Sequence, residues 1–160
     1  MSVKKILVLA ANPTDTSRLW LEKEVKEIQR SWERSKHRDR YQLQSQFAVS
    51  PQDWRRFLLD YDPHILHFCG HGMGEAGLAL EADESGQAKL LSTDAIAGLF
   101  EVCKQLECVV LNACYSDMQA ESDVQAEAIQ AQGAIVIGMN QAIGDEAACL
   151  TFPAKSYNPQ

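Results

Sequence analysis

Residues 64–72 read His64-Ile65-Leu66-His67-Phe68-Cys69-Gly70-His71-Gly72, an apolar run preceded by the breaker Asp62-Pro63 and delivered into a Gly-His-Gly turn. A nearly continuous run of this kind predicts a strand buried on both faces, as in a parallel sheet. Residues 107–114, Glu107-Cys108-Val109-Val110-Leu111-Asn112-Ala113-Cys114, repeat the plan, with apolar residues ending on a polar and then a potentially reactive side chain. Val3 to Ala11 and Ala134 to Gly138 are two further apolar runs, and Tyr41 to Val49 alternates as a half-exposed strand does.

Between these runs lie helical patterns. Leu21, Val25, Ile28 and Trp32 recur at spacings that form one stripe of an amphipathic helix. The basic cluster Lys36-His37-Arg38-Asp39-Arg40 reads as a cationic helix end rather than a phosphate site. Ser50-Pro51 supplies an N-cap and a first turn, with Trp54, Phe57, Leu58 and Tyr61 on the inward face. Residues 77–81 and 88–91 flank a polar turn around Glu84-Ser85-Gly86 and predict a small rim hairpin. Ser92-Thr93-Asp94 caps a helix with Ile96, Leu99, Phe100 and Cys103 inward, and a last helix is expected over about 116–132. Strands alternating with helices predict an α/β domain of three layers, its sheet mostly parallel with helices on both faces.

The chain has 160 residues, enough for one domain with a sizeable core. It holds 15 Lys+Arg against 22 Asp+Glu, a formal net charge of −7. That balance argues against nucleic acid or an anionic membrane as partner. No apolar run approaches the ~20 residues of a membrane span. Met1-Ser2-Val3-Lys4-Lys5-Ile6 reads as the approach to a first strand, not as a secretory signal. Five cysteines, an odd number set mostly in apolar stretches, predict a reducing, cytoplasmic setting without a disulfide framework. One local repeat stands out: residues 116–121 (SDMQAE) are followed at once by 122–127 (SDVQAE). On a helix the two copies face roughly 120° apart, so they cannot bury the same side chain against one neighbour.

Reactive groups in open parallel sheets collect beyond the carboxyl ends of the strands. His71 and Cys114 both fall there. On adjacent strands they would lie within reach of one another, and an imidazole beside a thiol both lowers its pKa and carries its proton. Gly72 leaves room for a substrate carbonyl to approach backbone N–H donors. The residue-level alternative is a small buried thiol and a turn histidine, the reading that also suits Cys69, Cys103, Cys108 and Cys149.

Ile65-Leu66-His67-Phe68-Cys69-Gly70-His71-Gly72 followed by Val109-Val110-Leu111-Asn112-Ala113-Cys114-Tyr115-Ser116 closely resembles the CHAT domain, a bacterial caspase-like cysteine peptidase family. The likeness includes Ala11-Asn12-Pro13 with Arg18-Leu19, Gly77-Leu78, and the segment Ile137 to Asp145, and it covers residues 4 to 150. The resemblance implies a caspase-like sandwich of strand order 2-1-3-4-5 with a sixth strand beyond. It implies a catalytic dyad of His71 and Cys114, with the backbone N–H groups of Gly72 and Cys114 as oxyanion hole. It also implies a signalling or defence setting, a protein or peptide substrate, and a regulatory partner. Family members continue with further helices and a strand that wall the cleft. Here residues 1–150 read as the CHAT domain, incomplete at its C-terminal end, and 151–160 as a divergent tail with Pro153 against a continuing helix. The open sheet edge this leaves would suit self-association or a partner that adds a strand.

Asp15 and Arg18 are candidates for substrate contacts of opposite preference, or else a helix cap and a solvated first-turn residue. Asn112 either orients backbone beside the nucleophile or closes a turn. A metal site is not expected, because His67, Cys69 and His71 spread along one strand in roughly 6–7 Å steps and do not converge on one ion. A dinucleotide site lacks its glycine fingerprint after the first strand. No cofactor is required. The expected function is a Cys–His endopeptidase, and the alternative is a catalytically inert caspase-like interaction module.

Overall fold

A computed structural model describes residues 2–73, 76–115 and 134–138, with residues 114, 115 and 138 described by their backbone alone. The expected helix at 116–132, the tandem hexad, residues 139–150 with Cys149, and the segment 151–160 lie outside the described residues. The strands are β1 (Lys4–Ala10), β2 (Tyr41–Gln46), β3 (Ile65–Gly72), β4 (Leu78–Glu81), β5 (Ala88–Leu91), β6 (Cys108–Tyr115) and β7 (Ile135–Gly138). The helices are α1 (Leu21–Arg34), α2 (Pro51–Tyr61) and α3 (Thr93–Phe100).

The parallel strands stand in the order β2-β1-β3-β6-β7, which is the expected 2-1-3-4-5. The hairpin β4-β5 joins the same sheet, antiparallel, through the pairs His71↔Ala79 and Gly72↔Leu78. This added partner lengthens β3. The sequence suggests a strand that ends near Cys69, whereas ladder pairing continues through Gly72, with β6 matching it to Tyr115.

Both faces of the central strands are covered, and the alternation of β1 shows how. Leu7 and Leu9 face a cluster with Trp54 and Leu58 of α2 and Ile96 and Phe100 of α3. Ile6, Val8 and Ala10 face Leu21, Val25 and Ile28 of α1. Leu66 and Phe68 join the first cluster and Cys69 the second, so β3 is apolar on one side and lined by His67, Cys69 and His71 on the other. Phe68 packs against Trp54 with ring centroids 5.3 Å apart.

Local chemistry fixes the helix starts unequally. Ser50 caps α2 with a reciprocal capping box to Asp53, and Pro51 opens the helix. Ser92 caps α3 by accepting from the Ala95 amide. Helix α1 begins at Leu21 with Trp20 at its N-cap and no side-chain cap bond. Strand β2 stops at Gln46 rather than at Val49, because Ala48 takes a positive φ of 53°. Phe47 is accordingly exposed, while Val49 returns to donate to the Ala10 carbonyl and accept from the Glu81 amide.

Candidate active site

The carboxyl ends of β3 and β6 meet in register, with His71 opposite Cys114 and Gly72 opposite Tyr115. Neighbouring strands are about 4.8 Å apart, so positions 71 and 114 are immediate neighbours across the ladder. Successive strand residues alternate between faces. Positions 112 and 114 therefore share the face on which His67, Cys69 and His71 lie.

His71 is buried, and its Nε2 lies 2.7 Å from the carbonyl oxygen of Ser17. A carbonyl oxygen only accepts, so Nε2 carries the hydrogen and donates it. In the neutral ring Nδ1 is then the basic nitrogen. Ser17 belongs to a loop that is held from several directions. Asn12 receives the Leu19 amide on Oδ1 at 3.2 Å and gives its own side-chain amide to the Leu19 carbonyl at 3.3 Å. The Asn12 backbone amide donates to the Glu81 carboxylate at 2.8 Å. Nearer the middle of the loop, the Thr14 amide donates to the Gly86 carbonyl, and Asp15 accepts from the Ala88 amide at 2.7 Å.

Below His71 on the same face lies a buried polar cluster. One oxygen of Glu24 receives His67 Nε2 at 2.9 Å, Cys69 Sγ at 3.1 Å and Asn112 Nδ2 at 2.6 Å. All four residues are at most 3% exposed. Burial pushes the Glu24 carboxyl up, but the bonds and charge from His67, then the bonds from Asn112 and Cys69, outweigh it and hold the group below its ordinary value. Glu24 is thus ionised and purely an acceptor at neutral pH.

Glu24, His67 and Cys69 bring three metal-ligand atoms within 4.8 Å of one another, a convergence the sequence reading did not anticipate. Their common hydrogen bonding to one carboxylate oxygen accounts for the approach. His71 stands apart from this group with its ring on Ser17. The signal for Glu24 was present in the sequence: it lies three residues after Leu21 and four before Ile28, a charge within the apolar stripe of α1.

The other candidates are placed differently. Asp15 caps no helix, since α1 starts six residues later, and its carboxylate ties the loop to the start of β5. Arg18 lines an open surface pocket with Leu19, Trp20, Glu22 and Lys23. Asn112 closes no turn, because it lies within β6, buried, with its amide on Glu24. Cys103 and Cys108 sit away from the dyad positions. Burial and then the charge of Asp62 push the Cys103 thiol up to about 11, and burial and then Glu107 raise that of Cys108.

The model of the CHAT domain family matches residues 5–147. The chain belongs to the CHAT family. A protein of Gillisia limnaea described as a probable protease is 26% identical to this CHAT domain over 125 residues. The alignment covers 76% of this chain and 22% of the relative, so the chain spans about a fifth of that protein's length. The span matched by the family model, residues 5–147, includes Ser17, His71, Gly72 and Cys114. No described helix is long and apolar enough to cross a membrane.

Proposed function

We propose that this CHAT domain is a caspase-like cysteine endopeptidase with His71 and Cys114 as its dyad. The observation that carries the reading is the register of His71 against Cys114 at the carboxyl end of β3 and β6, together with the Ser17 carbonyl on Nε2. With that nitrogen committed as donor, Nδ1 is the atom to take the thiol proton from Cys114. The thiolate sulfur attacks the scissile carbonyl carbon, and the carbonyl electron pair moves onto oxygen. The backbone amides of Gly72 and Cys114 are the proposed donors to that oxyanion. Collapse of the adduct breaks the C–N bond, and Nδ1–H gives its proton to the departing amine. Water then adds to the thioester with the imidazole as base, releasing the acid and restoring the thiol. A protein or peptide is the substrate class, and the name of the Gillisia relative supports it.

The test is covalent labelling by a panel of peptides bearing a thiol-directed electrophile in place of the scissile bond, applied to the wild-type chain, C114A and H71A. The expected result is one adduct on Cys114, none with C114A, and labelling slowed by about 10² or more in H71A, the scale of a lost general base. Equal labelling of C114A, or a peptide-independent reaction of all cysteines, overturns the assignment and leaves the inert scaffold.

A further inference from the structure

Helix α1 starts without a side-chain cap, yet the residues just before it present the carbonyl that fixes His71. Something else must seat this helix start. Ser17 lies two residues before Leu19, and from Leu19 to Glu24 the segment is held by hydrogen bonds. Asn12 grips Leu19 at both its amide and its carbonyl. The Trp20 carbonyl accepts from the amides of Lys23 and Glu24 at 3.1 and 3.2 Å. Glu24 then fastens the first turn of α1 to the sheet through His67 and Cys69 of β3 and Asn112 of β6.

We propose that Glu24 is a positioning residue: its buried carboxylate gathers donors from the two strands that carry the dyad and thereby holds the Ser17 carbonyl on His71 Nε2. The same carboxylate joins β3 to β6 through His67 and Asn112, two residues short of Cys69 on one strand and of Cys114 on the other. A helix start shifted by an ångström would carry Ser17 with it and free the ring to exchange its tautomer. A purely structural carboxylate would affect folding without selecting which nitrogen of His71 bears the hydrogen.

This inference rests on the dyad reading only for its activity arm. The experiment compares wild type, E24Q, E24L and the control I28A, a buried residue of the same helix whose side chain has no polar bond to give. Ring nitrogen spectra of His71 report the tautomer, and adduct formation on Cys114 with the peptide electrophile reports the dyad. Wild type should show the Nε2–H form. E24Q keeps an accepting amide oxygen of the same length and should retain that form and most of the labelling rate. E24L should show exchanging tautomers and label roughly a hundredfold more slowly, the scale of an ångström's misplacement. I28A should melt lower and keep the wild-type tautomer. If E24L alone does not fold, E24L/N112L removes a donor together with the acceptor and carries the same comparison. A folded Glu24 variant without a carboxylate or amide that retains the Nε2–H form overturns the proposal. Absence of labelling in the wild type would overturn the peptidase reading alone, and the ring spectra would still decide the role of Glu24.

Discussion

The backbone pairs His71 with Cys114 across adjacent parallel strands, while the His71 ring is anchored through Nε2 by the Ser17 carbonyl. His71 is therefore fixed in two ways, by the ladder that carries its Cα and by a loop bond that selects its tautomer. The three cysteines whose side chains are described, Cys69, Cys103 and Cys108, are buried or half-buried, and their reactivity can be measured.

Cys69 is fully buried with its Sγ on Glu24, Cys103 has its thiol pushed up to about 11, and Cys108 is also raised. A thiol reacts as its thiolate, so each of these should be alkylated far more slowly in the folded chain than in the unfolded one. Iodoacetamide mapping by mass spectrometry at pH 7.5 checks this. Rapid native modification of Cys103 would contradict its burial.

Glu24 carries a pH signature. Its folded-state carboxyl lies below the ordinary value of about 4.3, so its contribution to stability is complete above that value and is lost as pH falls through the lower, folded one. E24Q should thus lower the melting temperature at pH 7, with a cost of about 2 kcal/mol for weakening charge-assisted bonds. The gap between the two proteins should narrow as the pH drops below 4 or so. A gap that widens with acid would reverse the sign and remove the ionised carboxylate from the account.

Gly77 has a φ of +114°, and a Cβ there would lie 2.0 Å from the Leu91 carbonyl oxygen. Neither the backbone angle nor the space admits another residue. G77A should cost about 2 kcal/mol or more. The loss should appear also as slower Cys114 labelling, because β4 pairs directly with His71 and Gly72. Chemical denaturation and the labelling assay read the two effects.

The α2 cap offers a simpler measurement. Ser50 accepts the Asp53 amide at 3.1 Å, and its own amide donates to Asp53. S50A should destabilise the chain by about 1 kcal/mol and leave the labelling rate of the folded protein unchanged.

Much of the fold was legible because its strands are long apolar runs separated by turn chemistry. Ser50-Pro51 and Ser92 announced α2 and α3 at the residues where they begin. The start of α1 was hidden: Asp15 looks like a helix cap, but it bonds to the distant hairpin at Ala88, next to the bond from Thr14 to Gly86, which no local pattern encodes. The full length of β3 and β6 was hidden for a similar reason, since residues 71 and 72 are paired both with β6 and with β4, a partner that returns from downstream. Of the candidate site, the adjacency of positions 71 and 114 at two strand ends was legible, and the polar cluster beneath them only in part. The place of Glu24 in the apolar stripe of α1 marks it as a buried charge, but only the packed structure names its partners His67, Cys69 and Asn112.

The flanking of β3 by strands on both sides has a dynamic consequence. β1 and β6 bracket its residues 65–69, and β4 and β6 bracket its last two. Amide deuterium uptake along Leu66 to His71 should therefore be among the slowest in the chain, governed by global opening rather than by local breathing. The His71 ring, carried by that strand and bonded to Ser17, is thus tied to the slowest-opening part of the described sheet.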